Sequence, residues 1–302
     1  MVGATAVGKS DLAVELALRL DGEVVNADSM QLYRGMDIGT AKLDDDQQRG
    51  VPHHLLDIWG VRDPASVAAY QSLARQAFVA LAARGKGAVL VGGSGLYVRA
   101  ALDQLDFPGT DPAVRARLEG ELAEHGATAL HARLTELDPA AARAIQPANA
   151  RRLVRALEVV EMTGRPFTAY LPDHRYAVAA VQIGLELPRA ELDMRIADRV
   201  AAMWRRGLVE EVRRLEGEGL REGRTASRAL GYAQVLGHLA GECSEDAARE
   251  ETVRATRRFA RRQDSWFRRD PRVRWLPAGP PREVAAQVMD HLRGLAELSD
   301  PR

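Results

Sequence analysis

Gly3-Ala4-Thr5-Ala6-Val7-Gly8-Lys9-Ser10 fits the pattern G-x-x-x-x-G-K-[ST] at every fixed position. The glycines let the backbone curl until successive N–H groups point at one anion. Lys9 adds a point charge for the terminal phosphates, the Ser10 hydroxyl can ligate Mg²⁺, and the following helix presents its positive end. A di- or triphosphate ester is the expected ligand, and the motif does not say whether it is a nucleotide. Such a loop joins a parallel strand to a helix, so the expected fold is α/β, a P-loop NTPase-like parallel sheet flanked by helices. Only Met1 and Val2 precede the loop. The central strand is therefore expected to be missing or a stub, with backbone groups on its neighbours left unpaired. A natural start upstream is the simplest expectation.

Outward from the loop, the pattern alternates. Asp11 to Leu20 carries Leu12, Leu16 and Leu20 at helical spacing. Glu23 to Ala27 is β-rich, His54 to Trp59 is a second candidate strand, and Ala65 to Arg84 is an amphipathic helix. Gly87 to Val91 is an apolar run of parallel-strand type, broken by Gly92-Gly93-Ser94-Gly95. Ligands of such sheets gather at the carboxyl ends of strands, where the loop, Asp28 and Ser94 would converge. From 110 to 170 the sequence is strand-poor, with helices expected at 111–125, 128–136 and 149–162. This segment is expected to be a helical insertion domain within a core of 1–109 and 171–302. Ala177 to Leu187 returns to strand character. A helix from Pro188 to about Arg206 stops at Gly207, and a strand near Val273–Leu276 precedes a last helix.

The 302 residues carry 42 basic and 42 acidic side chains, so no overall basic field marks a nucleic-acid partner and local clusters must supply one. The single cysteine, Cys243, excludes an intrachain disulfide and fits a reducing compartment. No apolar run of membrane length and no leader pattern is present, so the expected place is the cytoplasm and no membrane partner is expected.

Asp28 follows a strand and should face the phosphate pocket, as general base, as a partner to Mg²⁺ or as the cap of the next turn. Asp44-Asp45-Asp46 is expected to be a solvated loop, because hard-metal ligands are spaced around an ion rather than consecutive. His53-His54 lacks partners at ligand spacing and is expected to be structural. Arg195 and Arg199 lie one turn apart on a helix, and one of them can reach a diphosphate. Arg249 to Arg269 holds eight arginines against three acids, with Arg254, Arg258 and Arg261 on one helical face among Phe259, Trp266 and Phe267. A second cluster is Arg151, Arg152 and Arg155. Either cluster alone is an ordinary solvated face. Two beside a phosphate pocket suit an RNA, with charge for its backbone and flat rings for unstacked bases.

The phosphate loop followed by Asn26-Ala27-Asp28-Ser29-Met30-Gln31-Leu32-Tyr33 resembles the tRNA dimethylallyltransferase family. The resemblance continues through Asp37-Ile38-Gly39-Thr40-Ala41-Lys42 and Val51-Pro52-His53-His54-Leu55-Leu56-Asp57. It extends to Gly92-Gly93-Ser94-Gly95-Leu96-Tyr97, Arg155-Ala156-Leu157-Glu158, Arg262-Gln263 and Trp266-Phe267. It implies transfer of a dimethylallyl group from dimethylallyl diphosphate to the exocyclic amine of the adenine 3′ of the anticodon, in tRNAs reading codons that begin with U. Asp28 is then the base. Ser94 is a hydrogen-bonding hydroxyl where the family often has Thr, and Arg195 joins Lys9 on the leaving diphosphate, with Mg²⁺ near Ser10. The anticodon stem-loop would meet Asp28, Ser29, Met30 and Gln31, then Arg151, Arg152 and Arg155 in the insertion, then Arg228, Gly231, Tyr232 and Arg258. The expected state is a monomer with no obligate protein partner. Competing expectations are an adenylate prenyltransferase, a small-molecule P-loop kinase, or a non-enzymatic phosphate-loop switch.

Overall fold

The computed structural model describes residues 1–167 and 174–299. In chain order it forms β1 (Val2–Gly3), α1 (Lys9–Arg19), β2 (Gly22–Asn26), α2 (Asp45–Gln48), β3 (His53–His54), α3 (Val67–Ala83), β4 (Gly87–Val91), α4 (Gly95–Leu102), α5 (Pro112–Leu137), α6 (Pro139–Ala144), α7 (Ala150–Thr163), β5 (Gln182–Glu186), α8 (Arg189–Arg205), α9 (Leu208–Gly217), α10 (Tyr232–Leu239), α11 (Glu245–Phe267), β6 (Val273–Pro277) and α12 (Pro281–Ser299). Two compact units divide it, residues 1–102 with 179–302, and residues 103–178. The expected boundary at 170/171 lies outside the described residues.

In the first unit the strands pair in parallel, in the orders β3-β2-β4 and β1-β5-β6. The backbone of Met1 joins these triplets. Its amine donates to the Leu90 carbonyl at 2.7 Å, and the Gly92 N–H donates to the Met1 carbonyl at 3.2 Å. β1 is thus a stub set between β4 and β5, and the segments after β1, β2 and β4 leave the sheet at one edge. α1 packs on β2, β4 and α12, and α3 packs on β2, β4 and α4. Leu12, Leu16, Val24, Val89, Ile183 and Ile196 share one buried cluster. Each such side chain contributes about 1.5–3 kcal/mol by leaving water. A second cluster gathers Tyr33, Met36, Leu208, Val212, Tyr232 and Val235 under α9 and α10.

The expected strand at His54–Trp59 shortens to β3 and one isolated bridge from Tyr33 to Trp59. Asp44 is the N-cap of α2 in a capping box with Gln47, which turns the acidic run into a short helix rather than a loop. Both histidines are held structurally, His53 on the Val51 carbonyl and His54 on the buried Glu23 at 2.5 Å.

In the second unit α5, α6 and α7 enclose Leu118, Leu130, Leu134, Ile145, Leu153 and Leu157. The two helices expected at 111–125 and 128–136 are both present within α5, parted at Gly126, whose φ of 78° and ψ of 170° are not helical. The buried Glu158 receives Arg115 and Arg155, which offset the cost of its charge. Among the described residues no helix is long and apolar enough to cross a membrane.

Candidate functional site

The loop after β1 is shaped by Gly8, which sits at φ 98° as the N-cap of α1. That left-handed conformation favours glycine, and no side chain caps the helix. The first N–H groups of α1 are therefore uncapped donors at the positive end of its dipole. Lys9 Nζ donates to the Ala4 carbonyl at 2.6 Å across the loop. Burial, then the charge of Arg199, pull this ammonium down to about 7, while Asp28 draws it the other way.

Beside the loop lies a pocket of about 310 Å³. Thr5, Asp28, Ser29, Thr40, Ser94 and Arg199 supply its polar lining. Ile196, Val200, Met203, Leu230 and Phe259 supply an apolar wall, and Arg228 and Arg262 add positive charge. Asp28 is set by an Asn26 bracket: its own N–H donates to Asn26 Oδ1 at 2.8 Å, and its Oδ1 accepts from the Met30 N–H at 2.9 Å. The turn-capping role and the pocket position thus coexist in one carboxylate. Ser94 Oγ accepts from the Ser29 N–H and donates to Ser29 Oγ, both at 3.1 Å, which ties the loops after β2 and β4 together. Burial holds the Arg199 guanidinium below its usual range against the pull of Asp28 and Asp11, and its Nη2 donates to the Thr40 carbonyl at 3.4 Å.

The segment 36–42 forms part of the pocket without regular structure, and Glu211 holds it. One carboxylate accepts the N–H groups of Asp37, Ile38 and Gly39 at 2.8–3.2 Å and the Tyr232 hydroxyl at 2.5 Å. Gln31 Nε2 donates to the Thr40 carbonyl at 3.1 Å.

Thr5 of the phosphate loop, Asp28 and Ser94 meet at this pocket, the convergence expected from sequence, and Ser29, Met30 and Arg228 line it as well. The structure does not bring Arg195 there: its guanidinium pairs with Glu191 at 2.8 Å in water, and Arg199 lines the pocket instead. Tyr232 is buried in the clasp on Glu211, and Gly231 is the N-cap of α10. Arg258 is exposed and pairs with Glu251 at 2.6 Å. In the second unit Arg151 and Arg152 are exposed on α7. Arg155 is committed to the Pro108 and Gly109 carbonyls and to Glu158. That unit has its own depression, lined in part by Arg133, Glu161 and Arg165, where Arg133 is paired with Glu121 and Glu161. Among the described residues no group of three or more His, Cys, Asp or Glu gathers to hold a metal ion.

Sequence reasoning missed Thr40, Phe259 and Arg262 as pocket residues. It named Arg199 without choosing it. At about 100° per residue, Arg199 lies about 40° nearer than Arg195 to the buried stripe of Leu192, Ile196, Val200 and Met203, so the signal was present.

A parallel sheet, an anion-binding loop and a carboxylate and hydroxyl at one pocket define a phosphate-loop α/β protein built for group transfer. The family described as IPP transferase matches residues 31–270, and the chain belongs to that family. It is 69% identical to the tRNA dimethylallyltransferase of Thermobifida fusca over 286 residues, 93% of this chain and 90% of the relative. It is 70% identical to that of Streptomyces avermitilis over 276 residues, 91% and 88% of the two chains. Among solved structures, the tRNA isopentenylpyrophosphate transferase of Bacillus halodurans is similar at TM-score 0.71 and 39% identity, covering 97% and 94%. A eukaryotic dimethylallyltransferase acting on tRNA is similar at TM-score 0.80 and 25% identity, covering 92% of this chain and 72% of that one.

Proposed function

We propose that this chain transfers the dimethylallyl group of dimethylallyl diphosphate to the exocyclic amine of the adenosine 3′ of the anticodon, in tRNAs reading UNN codons, and releases pyrophosphate. The observation that carries this reading is the shared pocket of Asp28, Ser94 and Thr5 of the phosphate loop. The amine is a poor nucleophile, because its lone pair is delocalised into the purine. As it attacks the allylic carbon, the bond from that carbon to the diphosphate oxygen breaks and Asp28 takes the amine proton. Charge grows on the leaving group, where the uncapped N–H groups of α1, Lys9 and Arg199 oppose it. The apolar wall of Ile196, Val200 and Met203 suits a five-carbon chain. The adenine must leave its stack to enter, at a cost of a few kcal/mol.

The Ser10 hydroxyl and diphosphate oxygens would offer the hard-oxygen donors that Mg²⁺ prefers, leaving Asp28 free to act as the base. A bound ion would neutralise charge on the leaving group, with Ser10 holding it. Arg228 and Arg262 at the pocket and the exposed arginines of α7 and α11 offer positive charge to an anticodon stem-loop, and the Gln31 amide beside the pocket offers hydrogen bonds to a base.

Labelled dimethylallyl diphosphate offered with an anticodon stem-loop, with AMP and with ATP tests the reading. Label on the stem-loop alone is expected. Label on AMP or ATP would make the chain a free-nucleotide prenyltransferase. Tight ATP binding without transfer would make it a kinase or a switch.

A further inference from the structure

Gln263 makes no hydrogen bond to Asp28, Ser94, Lys9 or Arg199, yet it joins two of the loops that carry the reaction. It lies on α11 and is only 5% exposed. The Thr5 N–H of the phosphate loop donates to its Oε1 at 2.8 Å. Its Nε2 donates to the Gly93 carbonyl at 2.9 Å, immediately before Ser94. The amide satisfies both loops in one orientation only, since a flip would set donor against donor and acceptor against acceptor. Gly93 leaves room for it: a Cβ there would sit 2.2 Å from Gln263 Nε2.

We propose that Gln263 is a positioning residue, whose amide fixes the distance between the diphosphate loop and the Ser94 loop. The inference rests on the prenyl-transfer reading. That reaction needs amine and allylic carbon about 3–3.5 Å apart, with donor and acceptor held by different loops. Thr5 and Ser94 both line the pocket, so slack between their loops opens that gap. α11 supplies Phe259 and Arg262 to the same pocket, so the brace hangs from a helix that is itself part of the site.

The test measures kcat and KM for dimethylallyl diphosphate and for an anticodon stem-loop in Gln263→Ala and Gln263→Glu, with melting curves for both. Gln263→Ala should lose about 30-fold in kcat, with KM for the stem-loop within about twofold of the parent. Gln263→Glu should be as slow at pH 8, where the carboxylate repels the Gly93 carbonyl. Its rate relative to the parent should then rise about tenfold toward pH 5.5, because the protonated carboxyl donates and accepts as the amide does. Gln263→Ala should show no such recovery. An alanine variant with the parent's kcat would overturn the proposal, and so would a glutamate variant whose ratio stays flat. If Gln263→Ala fails to fold, the pH ratio of Gln263→Glu decides alone. A parent that labels no stem-loop removes the prenyl-transfer reading and this proposal together. A parent that labels it beside an equally active alanine variant removes this proposal only.

Discussion

Lys9 bridges its own loop, and burial has already weakened its hold on a proton. With the ammonium drawn down to about 7, most of it is neutral at pH 8 in the free protein. A diphosphate brings negative charge beside it and raises it again. Binding at pH 8 should therefore take up close to one proton per diphosphate, and affinity should fall as pH rises above about 7. Calorimetric titration in buffers of different ionisation enthalpy reads the uptake, which Lys9→Met should abolish. Asp28→Ala should lower turnover ~10²–10⁴-fold and leave stem-loop affinity near the parent's, as measured in single turnovers and by filter binding. Arg199→Ala should raise KM for dimethylallyl diphosphate about tenfold or more, because a charge-assisted contact to phosphate is lost. Arg195→Ala should leave that KM unchanged, its partner being the exposed Glu191.

Elements with one strong period were legible. α1, α3, β2, β4, β6 and α8 follow from leucine spacing, β-branched runs and Gly or Pro stops. The segments that resisted derive their form from distant partners. The strand expected at His54–Trp59 keeps only two paired residues, because beyond His54 the backbone bonds back to the 31–34 turn instead of to β2. α6 stayed hidden because Pro139 reads as a stop, although Asp138 caps it and Pro139 opens it. The basic face of α11 was legible as charge, but not its two sides. Thr252, Thr256 and Phe259 turn to the pocket, while Arg254 and Arg258 lie in solvent against Glu251. An exposed pair of this kind yields readily to a phosphate. Arg258→Ala should accordingly weaken stem-loop binding and reduce the slope of log K against log salt by about 1, measured between 50 and 200 mM salt. An unchanged slope would mean that Arg258 meets no phosphate.

For the molecule as a whole, 42 acids against 42 bases leave no net field, so charge acts through local pairs and clusters. The zero balance was legible, but not where each charge is spent. Arg155, which reads as one of three surface cations, is consumed inside residues 103–178 by Glu158 and two carbonyls. Burial pushes Glu158 up, but Arg115 and Arg155 outweigh it and hold the carboxyl below its usual range. A carboxyl lower in the folded than in the unfolded chain adds stability that is complete above about pH 4.3 and lost as pH falls through its folded value. Glu158→Gln should cost about 2 kcal/mol, because two guanidinium groups lose their counter-charge. Hydrogen exchange of the full chain should show the loss in amides of 103–178.

The Glu211 clasp has a consequence for how the pocket fills. Four donors converge on that carboxylate, so the coil from Asp37 to Gly39 is moored by the protein's own groups. A guest that finds its berth built loses no entropy in assembling it. Docking of a small diphosphate against Gly39 and Thr40 would then ask for no rearrangement of that coil.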